Sequence, residues 1–238
     1  MEKQNLFFIL VRPYYLGNIG SAARVLKNFG FENLRLVAAP KNYKDAEARK
    51  MAVDAFDLLK NAEVFTDLSE ALKDINVAIG SSTGKQRESR TLSLLHQFGA
   101  EIAAMSKNKI AIIFGDERNG LSKDELDLCH HVVSIAAVES FPSLNVAQAV
   151  AVFAYELARS DMPLLESIPE YSCGAEDDVL FEELDALLHK VEFTRSFNRK
   201  PVLSEIRSLY LRARPSAREM GILKGAIRKI ERHIESMN

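Results

Sequence analysis

Apolar residues follow two distinct patterns along the first 160 residues of the chain. Short and nearly continuous apolar runs, such as Ile110–Phe114, are typical of strands in a parallel sheet covered on both faces. Between them, apolar residues recur every three or four positions, which predicts amphipathic helices. The predicted strands are residues 6–11, 34–37, 64–65, 77–80, 110–114 and 132–135. The predicted helices are residues 19–28, 45–60, 68–73, 93–105, 123–128 and 145–159.

Strands that alternate with helices predict an α/β fold with right-handed crossovers. After residue 159 the pattern changes, because Pro163, Pro169 and an acidic run at 176–178 precede a purely helical region. Helices are expected there at about 179–191, 202–214 and 216–234, and Ser216 followed by Glu219 is typical of a helix start. We therefore predict three parts, listed as an α/β domain (1–160), a linker (161–178) and a small helical C-terminal extension (179–238).

Composition places few limits on function. The hydrophobic fraction of 47% supports a real core, and no run approaches the roughly 20 apolar residues of a membrane span. The first residues lack the pattern of a cleavable leader, so none is expected. The two cysteines, Cys129 and Cys173, form neither a disulfide framework nor a metal-ligand pattern. We expect a cytoplasmic protein without a metal and without a membrane partner.

The net charge of −2 conceals an uneven distribution. Residues 160–189 carry nine acidic and no basic side chains, whereas residues 190–238 carry twelve basic and five acidic ones. A basic tail of this kind suits the binding of nucleic-acid phosphates. A solvated helical face would explain the same counts, so charge alone leaves both interpretations open.

Three glycine-rich segments follow predicted strands, where open α/β sheets bind ligands. The first is GNIGSAAR at 17–24, in which Asn18 suits a helix N-cap and Arg24 lies within the first two turns. The second is FGDERNGL at 114–121, which also fits a surface turn with a local ion pair. The third includes PSLNVAQA at 142–149, before the longest helix of the α/β part, and Ser143 or Asn145 suits its cap.

Familiar phosphate-binding and catalytic patterns do not fit. The Gly-x-Gly-x-x-Gly pattern is absent, and GSSTGK at 80–85 is one residue too short for a P-loop, with Gln86 where Ser or Thr is needed. The small polar loop Gly80–Gly84 still suits contact with a ligand through its backbone. No histidine or cysteine cluster has metal-ligand spacing, and a Ser/His/Asp triad lacks its nucleophile elbow.

The three segments, in this order and each after a strand, resemble the signature motifs of the SPOUT methyltransferases. The likeness is greatest to the TrmJ branch of the SpoU-type tRNA/rRNA 2′-O-methyltransferases, and the tail segments at 212–214 and 219–226 resemble its helical extension. The resemblance implies a parallel-sheet SPOUT fold with a C-terminal trefoil knot, formed where the chain from about Gly115 to Asn145 threads through itself. It also implies a homodimer with the active site near the subunit interface.

The resemblance further implies that S-adenosylmethionine is the cofactor. By motif match, its contacts are Ser81, Ser82, Thr83, Gly115, Ile135, Pro142, Ser143 and Leu144. The implied catalytic residues are Arg24, Asn18, Glu117, Ser143 and Asn145. Arg24 would reach toward the partner's cofactor. Because a guanidinium is effectively always charged, we expect it to hold a phosphate and stabilise the developing alkoxide rather than take up a proton.

The implied activity is 2′-O-methylation of tRNA, at the cytidine or uridine of position 32 in the anticodon loop. The basic tail would then hold tRNA phosphates without reading bases, although plain packing of three helices competes with that interpretation. Three alternatives stay open, namely an rRNA methyltransferase, a catalytically silent RNA-binding SPOUT protein and an unrelated doubly wound nucleotide enzyme. The failed phosphate-loop patterns count against the last.

Overall fold

A parallel sheet forms the centre of the protein in a computed structural model that describes residues 2–83, 92–105, 107–159, 171 and 174–237. Within these residues the sheet has seven strands in the order β3-β2-β1-β6-β4-β7-β5. The strands are β1 (Leu6–Val11), β2 (Asn33–Val37), β3 (Glu63–Phe65), β4 (Val77–Ser81), β5 (Leu92–Leu94), β6 (Ile110–Phe114) and β7 (His131–Ser134). Every neighbouring pair is parallel, as the continuous apolar runs predicted.

Helices cover both faces of this sheet. In the α/β part they are α1 (Leu16–Asn28), α2 (Ala46–Ala52), α3 (Phe56–Asn61), α4 (Leu68–Ala71), α5 (Leu95–Ala104), α6 (Lys123–Leu126) and α7 (Val146–Arg159). The tail forms α8 (Gly174–Lys190), α9 (Arg199–Ala213) and α10 (Ala217–Met237). No described helix is both long enough and apolar enough to cross a lipid bilayer.

The central strand β6 is apolar on both faces, so the sheet must be covered on both sides. All five of its residues are buried, and it lies between β1 and β4. One core contacts α1, α5 and α7, and the second, on the opposite face, contacts α4 and α6. Because β1, β6, β4 and β7 are adjacent and parallel, their carboxyl ends meet at one edge, where the glycine-rich segments begin.

Two local predictions in the α/β part were wrong. The helix predicted over 45–60 is broken at Val53, whose φ is +52°, into α2, a 3₁₀ turn at Val53–Ala55 and α3. The break lets both short helices pack on α1, where Gly20 faces the Ala48 carbonyl so closely that a Cβ would lie 2.1 Å from its oxygen. The helix predicted from residue 93 begins at Leu95, because Leu92–Leu94 pair with β7 as an edge strand.

Helix α8 begins five residues earlier than predicted. The N–H groups of Gly174 and Ala175 donate to the carbonyls of Ile75 (3.2 Å) and Lys73 (3.0 Å). The α/β part therefore supplies acceptors for backbone N–H groups that have no partner within the first turn of a helix. Residues 174–178 of the predicted linker are therefore helical. Residues 160–170, 172 and Cys173 lie outside the described residues, as do residues 84–91 with Gly84, Lys85 and Gln86.

The three tail helices pack on one another around their own apolar cluster. Its buried members are Leu180, Phe181, Leu187, Tyr210, Leu211, Met220 and Ile227. The predicted start of the last helix is confirmed, because Ser216 and Glu219 exchange hydrogen bonds of 2.8 and 3.3 Å. Acidic α8 carboxylates pair with arginines of α9 and α10, namely Asp178–Arg207 (2.7 Å), Asp185–Arg199 (2.7 Å) and Glu183–Arg228 (2.6 Å). The acidic segment thus neutralises part of the basic tail.

Candidate active site

A cavity of about 370 Å³ opens at the carboxyl edge of the sheet. This volume lies within the roughly 300–1,000 Å³ typical of small-molecule sites. It is lined by all eight residues that the family resemblance implied as cofactor contacts, Ser81, Ser82, Thr83, Gly115, Ile135, Pro142, Ser143 and Leu144. The structure therefore places three separate segments of the chain around one cavity.

The loop after β6 forms one wall of the cavity and requires glycine at two positions. A Cβ on Gly115 would lie 2.0 Å from the carbonyl carbon of Gly120, so only a hydrogen fits there. Gly120 itself has a φ of +69°, in the left-handed region. The Asp116 carboxylate closes the turn by accepting the N–H groups of Arg118 (2.9 Å) and Asn119 (2.7 Å).

Arg12, immediately after β1, ties this loop to the sheet. Its guanidinium donates to the Asp116 carboxylate (3.3 Å), the Gly120 carbonyl (3.2 Å) and the Glu125 carboxylate (3.0 Å). Burial raises the pKa of Asp116, but the N–H donors of Asn119 and Arg118, together with Arg12, outweigh it and leave that pKa below its ordinary value. Asp116 is therefore ionised near neutral pH and acts as a structural acceptor.

A chain of hydrogen bonds, which we call the motif relay, joins the three motifs through Glu117, Asn18 and Asn145. The Asn18 amide donates to Glu117 Oε1 (2.7 Å), and the Asn145 amide donates to Asn18 Oδ1 (2.9 Å). The backbone N–H groups of Tyr14 and Tyr15 also donate to Glu117, at 3.0 and 3.4 Å. Asn145 Oδ1 accepts the N–H of Ala147 at 2.8 Å. Each amide orientation is thus set by its neighbours.

The relay corrects one cap prediction and confirms another. Asn18 is not the N-cap of α1, because the helix begins at Leu16 with Tyr15 as the cap, which leaves the Asn18 side chain for Glu117. Asn145 does cap α7, through its bond to Ala147.

The relay does not include two of the five residues predicted to be catalytic. Ser143 lines the cavity with its side chain exposed. Arg24 is exposed on α1, and the described residues give it no hydrogen bond or ion pair. It does not line the cavity of its own chain. The structure therefore brings Asn18, Glu117 and Asn145 together and leaves the Arg24 guanidinium available to another molecule.

Sequence reasoning missed four residues that shape the site. Arg12 could have been noticed as a charged residue directly after an apolar strand, but its partners are more than 100 residues away. Tyr14 and Tyr15 are the only adjacent tyrosine pair in the sequence, and one residue separates them from the first glycine-rich segment. Arg118 lies inside the second segment, where it was interpreted only as part of a possible ion pair.

His130 and His131 are adjacent in the chain, and both make contacts that support the fold. His130 Nδ1 accepts the N–H of Ala78 at 3.0 Å, and the His131 ring packs against Phe98 with centroids 4.7 Å apart. Burial lowers the pKa of His131 to about 3, so its ring is neutral at physiological pH. Within the described part of the chain, no group of three or more His, Cys, Asp or Glu side chains is placed to hold a metal ion.

Comparison with known proteins identifies the family. Residues 5–155 match the model of the SpoU rRNA Methylase family, and residues 175–238 match that of the tRNA methyltransferase TrmJ, C-terminal domain. The chain belongs to the SpoU methylase family, in its TrmJ branch. It is 35% identical over 242 residues to the tRNA (cytidine/uridine-2'-O-)-methyltransferase TrmJ of Cronobacter sakazakii, with 96% of each chain covered.

Solved structures agree with this SpoU assignment. The crystal structure of TrmJ from Z. mobilis ZM4 superposes with a TM-score of 0.84 at 27% identity, covering 94% of this chain and 98% of that one. The SpoU methyltransferase AviRb from Streptomyces viridochromogenes, in complex with the cofactor AdoMet, gives 0.52 at 25% identity, covering 66% and 60%. The predicted α/β SPOUT fold is confirmed, while the trefoil knot stays a prediction that family membership implies.

Proposed function

We propose that this SpoU-family chain transfers a methyl group from S-adenosylmethionine to a ribose 2′-hydroxyl of tRNA. The observation that carries the proposal is that the 81–83 loop and the second and third motif segments converge on one cavity, while the motif relay joins the first segment to them. The near full-length similarity to tRNA (cytidine/uridine-2'-O-)-methyltransferases supports the reaction and the substrate class.

The cavity residues fit S-adenosylmethionine. Ser81, Ser82 and Thr83 bring hydroxyl and backbone groups to one side, while Ile135 and Leu144 offer apolar surface suited to a purine ring. The crowding at Gly115 lets the backbone approach a ligand where any side chain would intervene. A SpoU relative of the same fold is known with AdoMet bound. When bound, this cofactor supplies the methyl group on a positively charged sulfur.

The protein's part in such a displacement is to place the ribose hydroxyl about 3–3.5 Å from the methyl carbon and in line with the bond that breaks. The motif relay suits this positioning task, because Glu117 already accepts three N–H groups and Asn18 and Asn145 are fixed in orientation. Ser143, exposed at the cavity, would contact the cofactor or the ribose. These residues would orient the reactants. The transfer would break the methyl–sulfur bond and release S-adenosylhomocysteine, and the ribose hydroxyl would lose its proton to solvent.

Arg24 would complete the site of a partner subunit in a homodimer. Asn18, Ser21 and Val25 share one face of α1. Helix α1 packs against α7, on which Gln148, Val152 and Tyr155 are exposed. Tyr155 is 53% exposed and touches Phe29 at a ring distance of 6.1 Å, so the two helices present a partly apolar surface. A two-fold contact through this surface would carry Arg24 toward the other cavity, where it would hold a phosphate and the developing alkoxide.

The C-terminal helices would hold the body of the tRNA. Salt bridges to α8 occupy Arg199, Arg207 and Arg228. In the described part of the tail, the exposed cations for which the structure gives no ion pair are Arg195, Lys200, Arg212, Arg218, Lys229 and Arg232. These side chains suit contact with phosphates, which fixes an RNA in place without reading its bases. A cytoplasmic location fits this role and stays a prediction.

The substrate site is proposed to be the cytidine or uridine at position 32 of the anticodon loop. The test is to incubate the purified chain with labelled S-adenosylmethionine and either total tRNA or ribosomal RNA, digest the RNA to fragments, and identify the labelled nucleotide and its position. A 2′-O-methylated pyrimidine at position 32 of tRNA supports the proposal. Label confined to ribosomal RNA would move the substrate to the rRNA alternative, and binding of RNA without any transfer would favour the silent RNA-binding alternative.

A further inference from the structure

Two exposed tyrosines stand beside the cavity, and the reaction proposed above does not use them. Tyr14 and Tyr15 are 57% and 49% exposed, and their rings meet edge to face with centroids 4.9 Å apart. They lie in the short connection between β1 and α1, so both follow a strand end at the carboxyl edge of the sheet. Single exposed apolar side chains are ordinary, but two adjacent aromatic rings beside a polar cavity are a specific surface.

The backbone that carries the two rings is fixed at both ends. Glu117 accepts the N–H groups of Tyr14 and Tyr15, and Tyr15 is the N-cap of α1. Arg12, two residues before Tyr14, is held by Asp116 and Glu125 in a positive-φ conformation of +50°. Because the backbone is already ordered, a ligand that stacks on these rings would meet little additional entropic cost.

Arg118 links the tyrosines to the cavity. Its guanidinium lies over the Tyr14 ring, 4.1 Å from the centroid, and the same residue is part of the cavity wall. A cation held against an aromatic ring offers a flat, positively charged surface, which favours a planar ring attached to a phosphate backbone over an apolar protein side chain. Aromatic rings with arginine are the combination on which unpaired RNA bases stack.

We propose that Tyr14, Tyr15 and Arg118 form a base-stacking platform for an unpaired nucleobase next to the ribose that enters the cavity. This inference rests on the proposed function and deepens it, because it names residues that position the RNA. Stacking on an aromatic face tolerates any base, so the platform would fix the loop in place without selecting its sequence. The motif relay holds the same two backbone N–H groups, so the platform and the reacting groups share one rigid support.

The test uses an RNA hairpin with the sequence of a tRNA anticodon arm and 2-aminopurine beside the ribose that the wild type methylates. Binding is followed with S-adenosylhomocysteine present, so no reaction is needed. The chain contains no tryptophan, which leaves the aminopurine signal clear. Tyr14→Phe keeps the ring and is the matched control, whereas Tyr14→Leu keeps an apolar side chain without an aromatic face.

The expected result is an aminopurine fluorescence change with wild type and Tyr14→Phe that is lost in Tyr14→Leu. The Tyr14→Leu variant should also bind the hairpin roughly tenfold more weakly and show a KM for tRNA raised by a similar factor. Its affinity for S-adenosylhomocysteine should be unchanged, which shows that the cavity is intact.

Three results would overturn the platform. The first is equal hairpin binding by Tyr14→Leu and Tyr14→Phe, and the second is absence of an aminopurine change with the wild type. The third is a change in oligomeric state of Tyr14→Leu on sedimentation with hairpin binding retained, which would make the tyrosines a subunit contact. Failure of the methyltransferase proposal is distinct, because the wild type would then transfer no methyl group to tRNA whatever the hairpin binding shows.

Discussion

Asn18 occupies the middle of the motif relay, where its amide donates to Glu117 and accepts from Asn145. An amide is suited to this position because it has a donor and an acceptor at fixed separation. Its neighbours in turn are held by backbone N–H groups, so no member can turn without breaking a second hydrogen bond. At the scale of single residues, the relay side chains contribute by holding fixed orientations rather than by reacting themselves.

Replacing Asn18 with alanine should lower kcat for methyl transfer by roughly tenfold to a hundredfold, because small misplacements of reacting groups are costly. The affinity for S-adenosylmethionine should change little, since Asn18 does not line the cavity. Single-turnover transfer and calorimetric cofactor binding measure the two effects. Asn28→Ala, an exposed position on the same helix, is the matched control, and equal rates for the two variants would remove Asn18 from the site.

Asp74 provides a pH-dependent contribution to stability far from the cavity. Arg35 is buried and donates to Asp74 at 2.7 and 3.0 Å, and its guanidinium stacks on the Phe7 ring at 4.3 Å. The hydrogen bond from Arg35 is the main reason that the pKa of Asp74 falls from 3.8 to about 2. Because the folded state has the lower pKa, the contribution is fully present above about pH 4 and is lost as pH falls toward 2.

The free energy of unfolding should therefore drop less steeply between pH 4 and pH 2 in Asp74→Asn than in the wild type. The variant should also be less stable at neutral pH, where it lacks the ion pair. Urea titrations at a series of pH values measure both quantities. Parallel pH profiles for the two proteins would show that Asp74 does not titrate as described.

The residue-level details that sequence analysis missed are long-range. The type of residue in each motif was evident, but the partner of Asn18 lies 99 residues away and that of Arg12 lies 113 residues away. Asparagine is a favourable N-cap residue, which suggested a local role for Asn18. Its side chain instead donates a hydrogen bond to the distant Glu117 carboxylate. Local propensity cannot detect such competition, because the deciding partner depends on the sheet order.

Gly115, in the loop after β6, and Gly225, in α10, differ in whether their surroundings leave room for a side chain. Gly115→Ala should distort the loop after β6, because its Cβ would overlap the Gly120 backbone, and cofactor affinity should fall at least tenfold. Gly225→Ala in α10 meets no atom within 4 Å and should stabilise the protein by about 0.5–1 kcal/mol through helix propensity. Thermal unfolding and cofactor titration of the pair test this. Unchanged cofactor affinity in Gly115→Ala would contradict the crowded geometry.

At the scale of elements, periodicity predicted six of the seven described strands and most helices, with differences of a few residues at their ends. It failed at Leu92–Leu94, which runs directly into α5 and was included in the helix predicted from residue 93, and over 45–60, where Val53 adopts a positive φ that breaks the helix. The early start of α8 depends on carbonyls of Lys73 and Ile75, about 100 residues earlier in the chain. Contacts of this kind become visible only when the elements are assembled.

For the whole molecule, the uneven charge of the sequence has a structural explanation that counting could not supply. The acidic segment folds onto the basic helices, so only part of the tail's positive charge remains for another partner. Binding of RNA phosphates should therefore depend on the number of exposed cations without an ion pair rather than on the net charge. Phosphate contact by these cations makes RNA affinity depend on salt.

Replacing both Arg212 and Arg218 with alanine should weaken tRNA binding at low salt and reduce the slope of log affinity against log salt by about two. Both side chains are exposed, so the fold should be unaffected. Lys50→Ala, which removes an exposed charge from α2, is the control and should leave the slope unchanged. An unaltered slope in the double variant would exclude these two arginines from the RNA interface.

The most direct measurement compares methyl transfer from labelled S-adenosylmethionine to purified tRNA by the wild type and by Arg24→Ala. Arg24 is exposed and lies outside its own cavity, so its loss should leave folding and cofactor affinity intact. We predict 2′-O-methylation of tRNA by the wild type and a loss of at least a hundredfold in kcat for the variant. Transfer by Arg24→Ala at the wild-type rate, or a wild type that methylates no RNA despite binding the cofactor, would contradict the proposed site.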